Sequence, residues 1–171
     1  MLRTVTIIGG GPTGLMAADV LSQNNYQVTI FERKPSLGRK FLLAGRGGLN
    51  ITHSEKKELF LEKYGKNSDF LKPIINNFSP QDLRIWCEML GEKTFIGSSG
   101  RVFPKSFKAS PLLRAWLSRL KIQNVIFKTK HDWLGWDHDQ LLFRSENEYI
   151  LIKSDITLLA LGGASWPKLG S

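Results

Sequence analysis

The stretch that decides the fold is Val5-Thr6-Ile7-Ile8-Gly9-Gly10-Gly11-Pro12-Thr13-Gly14-Leu15-Met16-Ala17-Ala18, and it is completed by Phe31-Glu32-Arg33-Lys34. The apolar and β-branched residues 2–8 are typical of a buried parallel strand. The glycines predict a turn that opens into a helix, and residues 27–31 predict a second strand ending at Glu32. A strand, a glycine turn, a helix and a strand ending in an acid form the unit that binds a dinucleotide.

The residues of the glycine turn are suited to holding a pyrophosphate. Gly9 lets the backbone turn sharply, Gly11 leaves room for a phosphate beside the main chain, and Gly14 lets the helix pack closely on the strand. The N–H groups of the first helical turn and the helix dipole attract the phosphates. We therefore predict that the pyrophosphate is bound by Gly9, Gly11, Pro12, Thr13 and Gly14. A βαβ unit that binds no phosphate is the alternative interpretation.

The acid after the second strand predicts a ribose contact. Glu32 lies roughly 20 residues beyond the glycines, where a carboxylate accepts hydrogen bonds from ribose hydroxyls. The same negative charge would repel a 2′-phosphate, so NADP is disfavoured at this site. Arg33 is a candidate ligand beside Glu32, although Arg33 and Lys34 are more typical of solvated charges.

The first helix has an apolar pattern at helical spacing. We predict that it buries one face, made of Met16, Ala17, Val20 and Leu21. Asn24-Asn25 predicts the end of the helix, because Asn is the usual substitute for Gly where a left-handed residue is needed.

Size and composition indicate one globular core in a reducing compartment. The chain has 171 residues, of which 42% are hydrophobic, and a single cysteine, Cys87, which we expect to be buried. The amino terminus does not resemble a signal peptide, and no apolar run is long enough to span a membrane, so we expect a cytoplasmic protein. The net charge of +9 favours anionic partners, but the charges are scattered and alone do not identify a nucleic-acid-binding protein.

The order of the remaining elements separates a flavin-binding domain from a plain NAD-binding one. Residues 36–54 predict a long loop, and three helices follow, so residues 36–122 form a loop and helical excursion. The first predicted helix covers residues 70–78 and has Pro73 near its start; the second is capped by Ser79-Pro80 with Asp82 and closed by Gly91; the third begins at Ser110-Pro111. Four short strands over residues 123–153 predict an antiparallel β-meander, and Ile156–Leu161 predicts a last buried strand. The predicted fold class is therefore α/β, a Rossmann-like FAD-binding domain over residues 1–171 with a parallel sheet, a helical excursion and a β-meander.

Three further motifs carry a resemblance to a known family: Gly38-Arg39-Lys40 with Ala44-Gly45-Arg46-Gly47-Gly48-Leu49-Asn50-Ile51-Thr52, Gly100-Arg101-Val102-Phe103-Pro104-Lys105-Ser106 with Lys108-Ala109, and Leu159-Ala160-Leu161-Gly162-Gly163-Ala164-Ser165-Trp166-Pro167. With the amino-terminal unit they span nearly the whole chain. The chain resembles the bacterial BaiN/YhiN-type flavoproteins, described as NAD(P)/FAD-dependent or aminoacetone-oxidase-like, which have two dinucleotide-binding folds.

The resemblance implies FAD as the cofactor and assigns further residues to it. Residues Trp133 to Trp136 of the meander would lie near the adenine, and Ala160 and Gly162-Gly163 would pass the cofactor where only small residues fit. The pyrophosphate, the ribityl chain and the flavin would be lined by Arg39, Lys40, Gly45, Arg46, Gly47, Gly48 and Asn50. Arg46 is a candidate for the positive charge near the flavin, and no catalytic acid or base is indicated.

This chain departs from the family pattern in two respects. Many relatives read Gly-Arg-Cys-Asn where this chain has Gly47-Gly48-Leu49-Asn50, so chemistry that needs the arginine or the cysteine is in doubt. Relatives also continue for more than the same length again, so the resemblance implies that residues 1–171 are the amino-terminal part of such a protein. We then expect apolar surface that would favour association.

Other kinds of site have weaker support. His53 follows the glycine loop and could contact a flavin, but a lone loop histidine is more often solvent-facing. His131 and His138 lack a Cys or acidic grouping with zinc spacing, so we expect no metal site. Arg101 and Lys105 could bind an anion or lie as surface charges.

Three functions are consistent with the sequence. The first is the FAD-binding portion of a flavin-dependent oxidoreductase, which would use NAD(P)H or a small organic substrate. The second is a catalytically inert remnant or interaction module. The third and weakest is a basic flavoprotein that acts on RNA, which the net charge of +9 motivates.

Overall fold

The structure is a computed structural model that describes residues 2–163. Its strands are β1 Thr4–Ile8, β2 Gln27–Glu32, β3 Thr52–His53, β4 Thr94–Ile96, β5 Arg101–Pro104, β6 Ile126–Thr129, β7 His131–Asp137, β8 Gln140–Ser145, β9 Glu148–Ile152 and β10 Ile156–Leu159. Its helices are α1 Pro12–Gln23, α2 Arg39–Ala44, α3 Lys57–Glu62, α4 Ser68–Asn77, α5 Pro80–Met89 and α6 Ala109–Ile122, with a 3-10 turn at Gly65–Asn67. The Ala164–Pro167 end of the third family motif lies outside the described residues.

The chain forms two compact units. The first unit contains the described residues up to Leu43 and from Leu117 onward, and the second unit contains Ala44–Trp116. The second unit falls within the excursion predicted over residues 36–122.

The first unit is built on a four-stranded parallel sheet with the order β10-β1-β2-β6. Val5 and Ile7 of β1 and Ile30 of β2 are fully buried, as expected for central parallel strands. The predicted α/β Rossmann-like fold is therefore confirmed. One strand differs from its prediction: β6, the first of the four strands predicted within the meander of residues 123–153, pairs in parallel with β2, so the antiparallel meander begins at His131.

Helix α1 follows the glycine turn and ends at Asn24, as predicted, and Asn25 has a φ of 62°. The predicted buried face was wrong. Val20 is exposed, and the buried residues are Gly14, Leu15, Ala18 and Asp19. Gly14 packs so closely against the strand that a Cβ there would overlap the carbonyl oxygen of Gly9, and this contact fixes which side of the helix faces the sheet.

Asp19 faces the interior because it has a partner there. Its carboxylate accepts a hydrogen bond from Nη2 of Arg119 on α6 and another, at 2.9 Å, from Nε2 of Gln23. Buried carboxylates occur in proteins when they are paired in this way. Hydrophobic periodicity cannot reveal such a pair, since both residues read as surface positions.

Strands β7, β8 and β9 form an antiparallel sheet, with a bulge between Trp133 and Gly135. Its inner face joins the parallel sheet in a cluster of buried residues, Ile8, Phe31, Leu141 and Phe143, against which Trp133 packs. The meander thus holds Trp133 beside the carboxyl end of β1.

Strand β10 was predicted to be buried, and this was wrong. It pairs with β1 on one side only, and Ile156, Leu159 and Leu161 are exposed. The run is apolar and β-branched like β1, but β10 is the edge of the sheet among the described residues. Burial of this strand depends on which elements pack beside it, and the local sequence carries no information about them.

The second unit contains a three-stranded sheet of order β3-β5-β4 and the helices α3 to α5. The predicted cap of α5 is confirmed, since Ser79 and Asp82 form a reciprocal capping box and Gly91 has a φ of 81° after the helix. Cys87 is buried as predicted. Helix α4 is also present as predicted and includes Pro73.

The loop predicted over residues 36–54 is only partly a loop. Gly38, with a φ of 66°, begins a short helix, because its carbonyl oxygen accepts from the N–H of Leu42 at 3.0 Å. Residues 39–44 form α2, and Thr52–His53 form β3. Three apolar residues in a row were too few to show helical periodicity.

Candidate dinucleotide-binding site

A crevice in the first unit lies at the carboxyl ends of β1, β2 and β10, where ligands bind in open α/β sheets. One half, which we call the glycine half, is lined by Gly9, Gly10, Gly11, Pro12, Thr13, Glu32, Ser36, Gly38, Arg39, Lys40, Ala160, Leu161 and Gly162. The other half, which we call the aromatic half, is lined by Ile8, Gly9, Phe31, Glu32, Arg33, His131, Asp132, Trp133 and Leu161. The halves meet at Gly9, Glu32 and Leu161.

The glycine half is shaped by close backbone contacts. Gly9 has a φ of 111°, and an added Cβ would overlap the carbonyl oxygen of Ala160. Its N–H donates to Phe31 O at 2.8 Å, which ties the turn to β2. Gly11 differs, because a Cβ there would meet no atom of the described residues within 4 Å. The open space at Gly11 faces the crevice at the amino end of α1, where the first N–H groups of a helix lack intrahelical acceptors.

Gly10 is a residue that the sequence reasoning missed. It is buried, and a Cβ at this position would overlap the side chain of Leu37. Its N–H donates to Oε2 of Glu32 at 2.8 Å, and its carbonyl accepts from Gly38 at 2.8 Å. The run of three glycines could have indicated Gly10, but the dinucleotide-binding motif accepts any residue at this middle position.

Glu32 lies where the two halves of the crevice meet. Oε2 accepts from the N–H of Gly10, and Oε1 accepts from the N–H of Lys34 at 2.8 Å. These two hydrogen bonds hold the carboxylate in the crevice. A carboxylate has about four acceptor positions, so capacity remains for a ligand's hydroxyl groups.

Two basic residues of α2 line the glycine half. Lys40 Nζ donates to Gly163 O at 3.2 Å and lies beside Gly162. Arg39 Nη1 donates weakly to Ser36 Oγ at 3.4 Å, while Arg39 Nε is buried and has no acceptor among the described residues. A buried donor without an acceptor is rare in proteins and indicates a missing partner.

The aromatic half has a flat, apolar wall. The Phe31 ring stacks on Phe143 at 4.2 Å and meets the edge of His131 at 5.5 Å. The Trp133 indole Nε1 is buried and has no acceptor among the described residues. Trp136 contacts Trp133 edge-on at 4.8 Å but is itself exposed and does not line the crevice. The family resemblance predicts Trp133 at this site, whereas nothing in the sequence places His131 there.

The glycine loop of residues 45–50 belongs to the second unit. Gly45 packs against Ala109, where a Cβ would overlap the alanine side chain, and Gly48 has a φ of 105°. Asn50 Nδ2 donates to Thr52 O at 2.8 Å and to Val102 O at 3.0 Å. Leu49, which stands where relatives have cysteine, is buried in this unit, whereas Arg46 and Gly47 are exposed. Their assignment to a flavin therefore stays a prediction.

The remaining candidate residues are His53, Arg101 and Lys105. His53 is fixed rather than solvent-facing, since Nε2 lies 3.0 Å from Ser99 O and Nδ1 lies 3.2 Å from the N–H of Glu55. Arg101 and Lys105 are exposed. Within residues 2–163 no group of three or more His, Cys, Asp or Glu side chains could hold a metal ion. In the same range, no helix is both long and apolar enough to span a bilayer.

Comparison with known proteins decides the family. Residues 3–171 match the model of the HI0933-like protein Rossmann domain. The chain belongs to this family. The resemblance to BaiN/YhiN-type flavoproteins is therefore confirmed, and residues 3–171 match the Rossmann domain of a flavin oxidoreductase family.

Curated relatives are similar along the whole chain. A 3-dehydro-bile acid delta(4,6)-reductase of Clostridium scindens is 26% identical over 99% of this chain and 41% of its own length. A ribosomal RNA dihydrouridine synthase of Escherichia coli is 23% identical over 96% of this chain and 40% of its own length. The chain thus spans about two fifths of the length of these relatives.

Solved structures agree on the fold. THI4 of Thermovibrio ammonificans is 17% identical and superposes with a TM-score of 0.60, covering 95% of this chain and 58% of its own. A 3-ketosteroid-delta4-(5alpha)-dehydrogenase of Rhodococcus jostii RHA1 is 11% identical with a TM-score of 0.64, covering 94% of this chain and 46% of its own.

Proposed function

We propose that the first unit holds FAD as the cofactor of a flavin-dependent oxidoreductase. The observation that carries this proposal is the position of Glu32, whose carboxylate lies in one crevice with the amino end of α1. A pyrophosphate at Gly11 and a ribose at Glu32 would then be neighbours along one ligand.

The chemistry of the crevice fits an adenosine diphosphate moiety. The glycine half offers helix N–H groups, the buried Nε of Arg39 and the ammonium of Lys40, all of which favour phosphate oxygens. The aromatic half offers Phe31 and Trp133 to a flat base, and the buried Trp133 Nε1 would gain an acceptor. Ala160 and Gly162 are small, so the ligand would have room to pass the end of β10.

FAD, when bound, supplies hydride or electron transfer between NAD(P)H and an organic substrate. The residues of this chain bind and orient it. Glu32 would fix the ribose, while the first turn of α1 would hold the pyrophosphate in place. Arg46 in the second unit remains our candidate for the positive charge near the flavin, and we assign no catalytic acid or base.

The test compares FAD with FMN, which lacks the adenosine half. For Glu32→Gln we expect FAD affinity to fall by about 5- to 150-fold, since lost hydrogen bonds to a charged group cost about 1–3 kcal/mol. FMN affinity should not change, and ADP should compete with FAD. The control is Glu148→Gln, which alters an exposed glutamate in the same unit. Equal FAD affinity of the wild type and Glu32→Gln in a flavin titration would remove Glu32 from the site.

A second candidate is a flavoprotein that acts on RNA. The net charge of +9 favours a polyanionic partner, and the relative from Escherichia coli is a ribosomal RNA dihydrouridine synthase. This candidate predicts RNA binding that weakens steeply with salt. Absent or salt-insensitive RNA binding in a gel shift would contradict it and leave the FAD proposal untouched.

A further inference from the structure

Phenylalanines and basic residues alternate along one segment of the second unit. Between residues 93 and 108 the chain carries no acidic residue and instead has Lys93, Phe95, Arg101, Phe103, Lys105, Phe107 and Lys108. We call the part of the unit formed by these residues the Phe107 surface. On β5, Val102 and Pro104 are buried, so alternation turns Arg101 and Phe103 to the opposite face.

The three rings of the Phe107 surface form one cluster. Phe95 and Phe103 are paired across β4 and β5 and stack with their centroids 5.9 Å apart. The Phe107 ring lies 4.9 Å from Phe95 and 5.6 Å from Phe103. Phe107 is nevertheless 51% exposed, so the cluster supports a ring with one side open to solvent.

The backbone holds Phe107 in an unfavourable conformation. Its φ is 56°, which is uncommon for a bulky residue. Hydrogen bonds on both sides fix it, from its own N–H to Pro104 O at 2.9 Å and from the N–H of Leu49 to its carbonyl at 3.2 Å. Backbone strain of this kind is concentrated at functional sites.

Two glycines pack beside the rings. A Cβ at Gly48 would lie 3.4 Å from the Phe107 ring, and a Cβ at Gly97 would lie 3.4 Å from the Phe103 ring. Arg101, Lys105 and Lys108, which are close to these rings in sequence, are exposed. The surface therefore combines an aromatic cluster with several cations, and the neighbouring acid Glu92 accepts a hydrogen bond from the N–H of Ser106 at 3.2 Å.

We propose that the Phe107 surface binds single-stranded RNA. A base would stack on the open side of the Phe107 ring, and phosphates of the strand would contact Arg101, Lys105 and Lys108. Sequence-tolerant binding of single strands uses this combination of aromatic rings and cations. A small ligand would instead need a concave site that buries most of its surface, whereas the Phe107 ring is half open.

This proposal rests on the RNA candidate of the proposed function and adds the residues that would contact the strand. Its test is separate from that of the FAD proposal, because it measures RNA binding and not flavin binding. The assay adds the whole chain to a fluorescent, mixed-sequence RNA of about 12 nucleotides. The rise in the anisotropy of the RNA gives its affinity for the protein.

The test variant is Phe107→Asn, which removes the ring while suiting the left-handed backbone. We expect affinity for the single strand to fall by about 5- to 150-fold, the effect of losing one stacked base. Phe70→Asn is the matched control, since it removes an exposed phenylalanine from α4 of the same unit. Phe107→Tyr should bind like the wild type, because it keeps the stacking face. Lys105→Gln should lower the slope of log affinity against log salt by about 0.7.

The possible outcomes distinguish failure of the Phe107 surface from failure of the RNA candidate as a whole. If the wild type binds RNA but Phe107→Asn and Phe70→Asn bind equally well, the Phe107 surface is the wrong site and the RNA candidate stands. If the duplex form of the same RNA binds as tightly as the single strand, base stacking is refuted. If the wild type binds no RNA at low salt, both ideas fall and only the FAD proposal remains.

Discussion

Gly11→Ala separates ligand binding from folding more cleanly than any other substitution in the crevice. Gly11 has a φ of −80°, which alanine adopts without strain, and the added Cβ would meet no atom of the described residues within 4 Å. The variant loses a favoured N-cap residue, so stability should fall by less than about 1 kcal/mol. The methyl group would, however, occupy the space that we assign to the pyrophosphate.

The magnitude follows from the geometry of that space. A phosphate pressed against the amino end of α1 must move away from the methyl group or force the turn to shift. Overpacking of this kind costs about 1–3 kcal/mol, which corresponds to a rise in the Kd for FAD of about 5- to 150-fold. FMN, which has no pyrophosphate, should lose less.

Gly14→Ala is the opposite case and serves as the comparison. Its Cβ would overlap the backbone carbonyl of Gly9, which cannot move aside as a flexible side chain could. We expect the melting temperature of Gly14→Ala to fall clearly while that of Gly11→Ala stays near the wild type. Calorimetric titration with FAD and thermal denaturation of both variants decide the matter. A Gly11→Ala protein with wild-type stability and wild-type FAD affinity would refute the placement of the pyrophosphate.

Predictions for three further residues concern stability and reactivity. Asp19→Ala should destabilise the fold by about 3–5 kcal/mol in chemical denaturation because it breaks a buried ion pair with Arg119, and an Asp19→Leu, Arg119→Met double variant should recover much of the loss. Burial, then the charges of Glu92 and Glu88, raises the pKa of Cys87 from 9.0 to about 12, so the folded state should resist thiol alkylation at pH 8. The pKa of Cys87 is higher in the folded state than in the unfolded state. Ionisation of this thiol should therefore lower the free energy of unfolding only as the pH rises from about 9 toward 12, and Cys87→Ala should abolish that decrease. Ser79→Ala should cost about 1 kcal/mol by removing the cap of α5, measured by thermal denaturation.

Local sequence predicted the elements whose causes are local. The turn at Gly9, the left-handed Asn25 and the cap at Ser79 each depend on residues within one helical turn, and the structure has all three. The position of Glu32 at the end of β2 followed from the same kind of pattern. These features needed no knowledge of distant contacts.

The predictions that failed involve partners far apart in sequence. The buried side of α1 is set by Gly14 against β1 and by Asp19 with Arg119, a residue 100 positions away. Likewise, β6 looked like the first strand of a meander, because a short strand carries no local sign of whether its neighbour is parallel. The lining of the crevice by His131 could be inferred only once β7 was known to pass the end of β2.

Hydrogen bonds and packing within the protein hold the crevice in shape. This rigidity affects how tightly the crevice could bind a ligand. Gly10 links the turn both to Glu32 and to Gly38, and a Cβ at Gly10 would force the buried side chain of Leu37 to move. The carboxylate of Glu32 is thereby held before any ribose arrives, so little conformational entropy remains to be lost on binding. The same arrangement means that Gly10→Ala should weaken FAD binding by disordering the turn, although Gly10 need not touch the cofactor. A fall in affinity with no fall in stability would contradict this reasoning, because it would place Gly10 against the ligand instead of against Leu37.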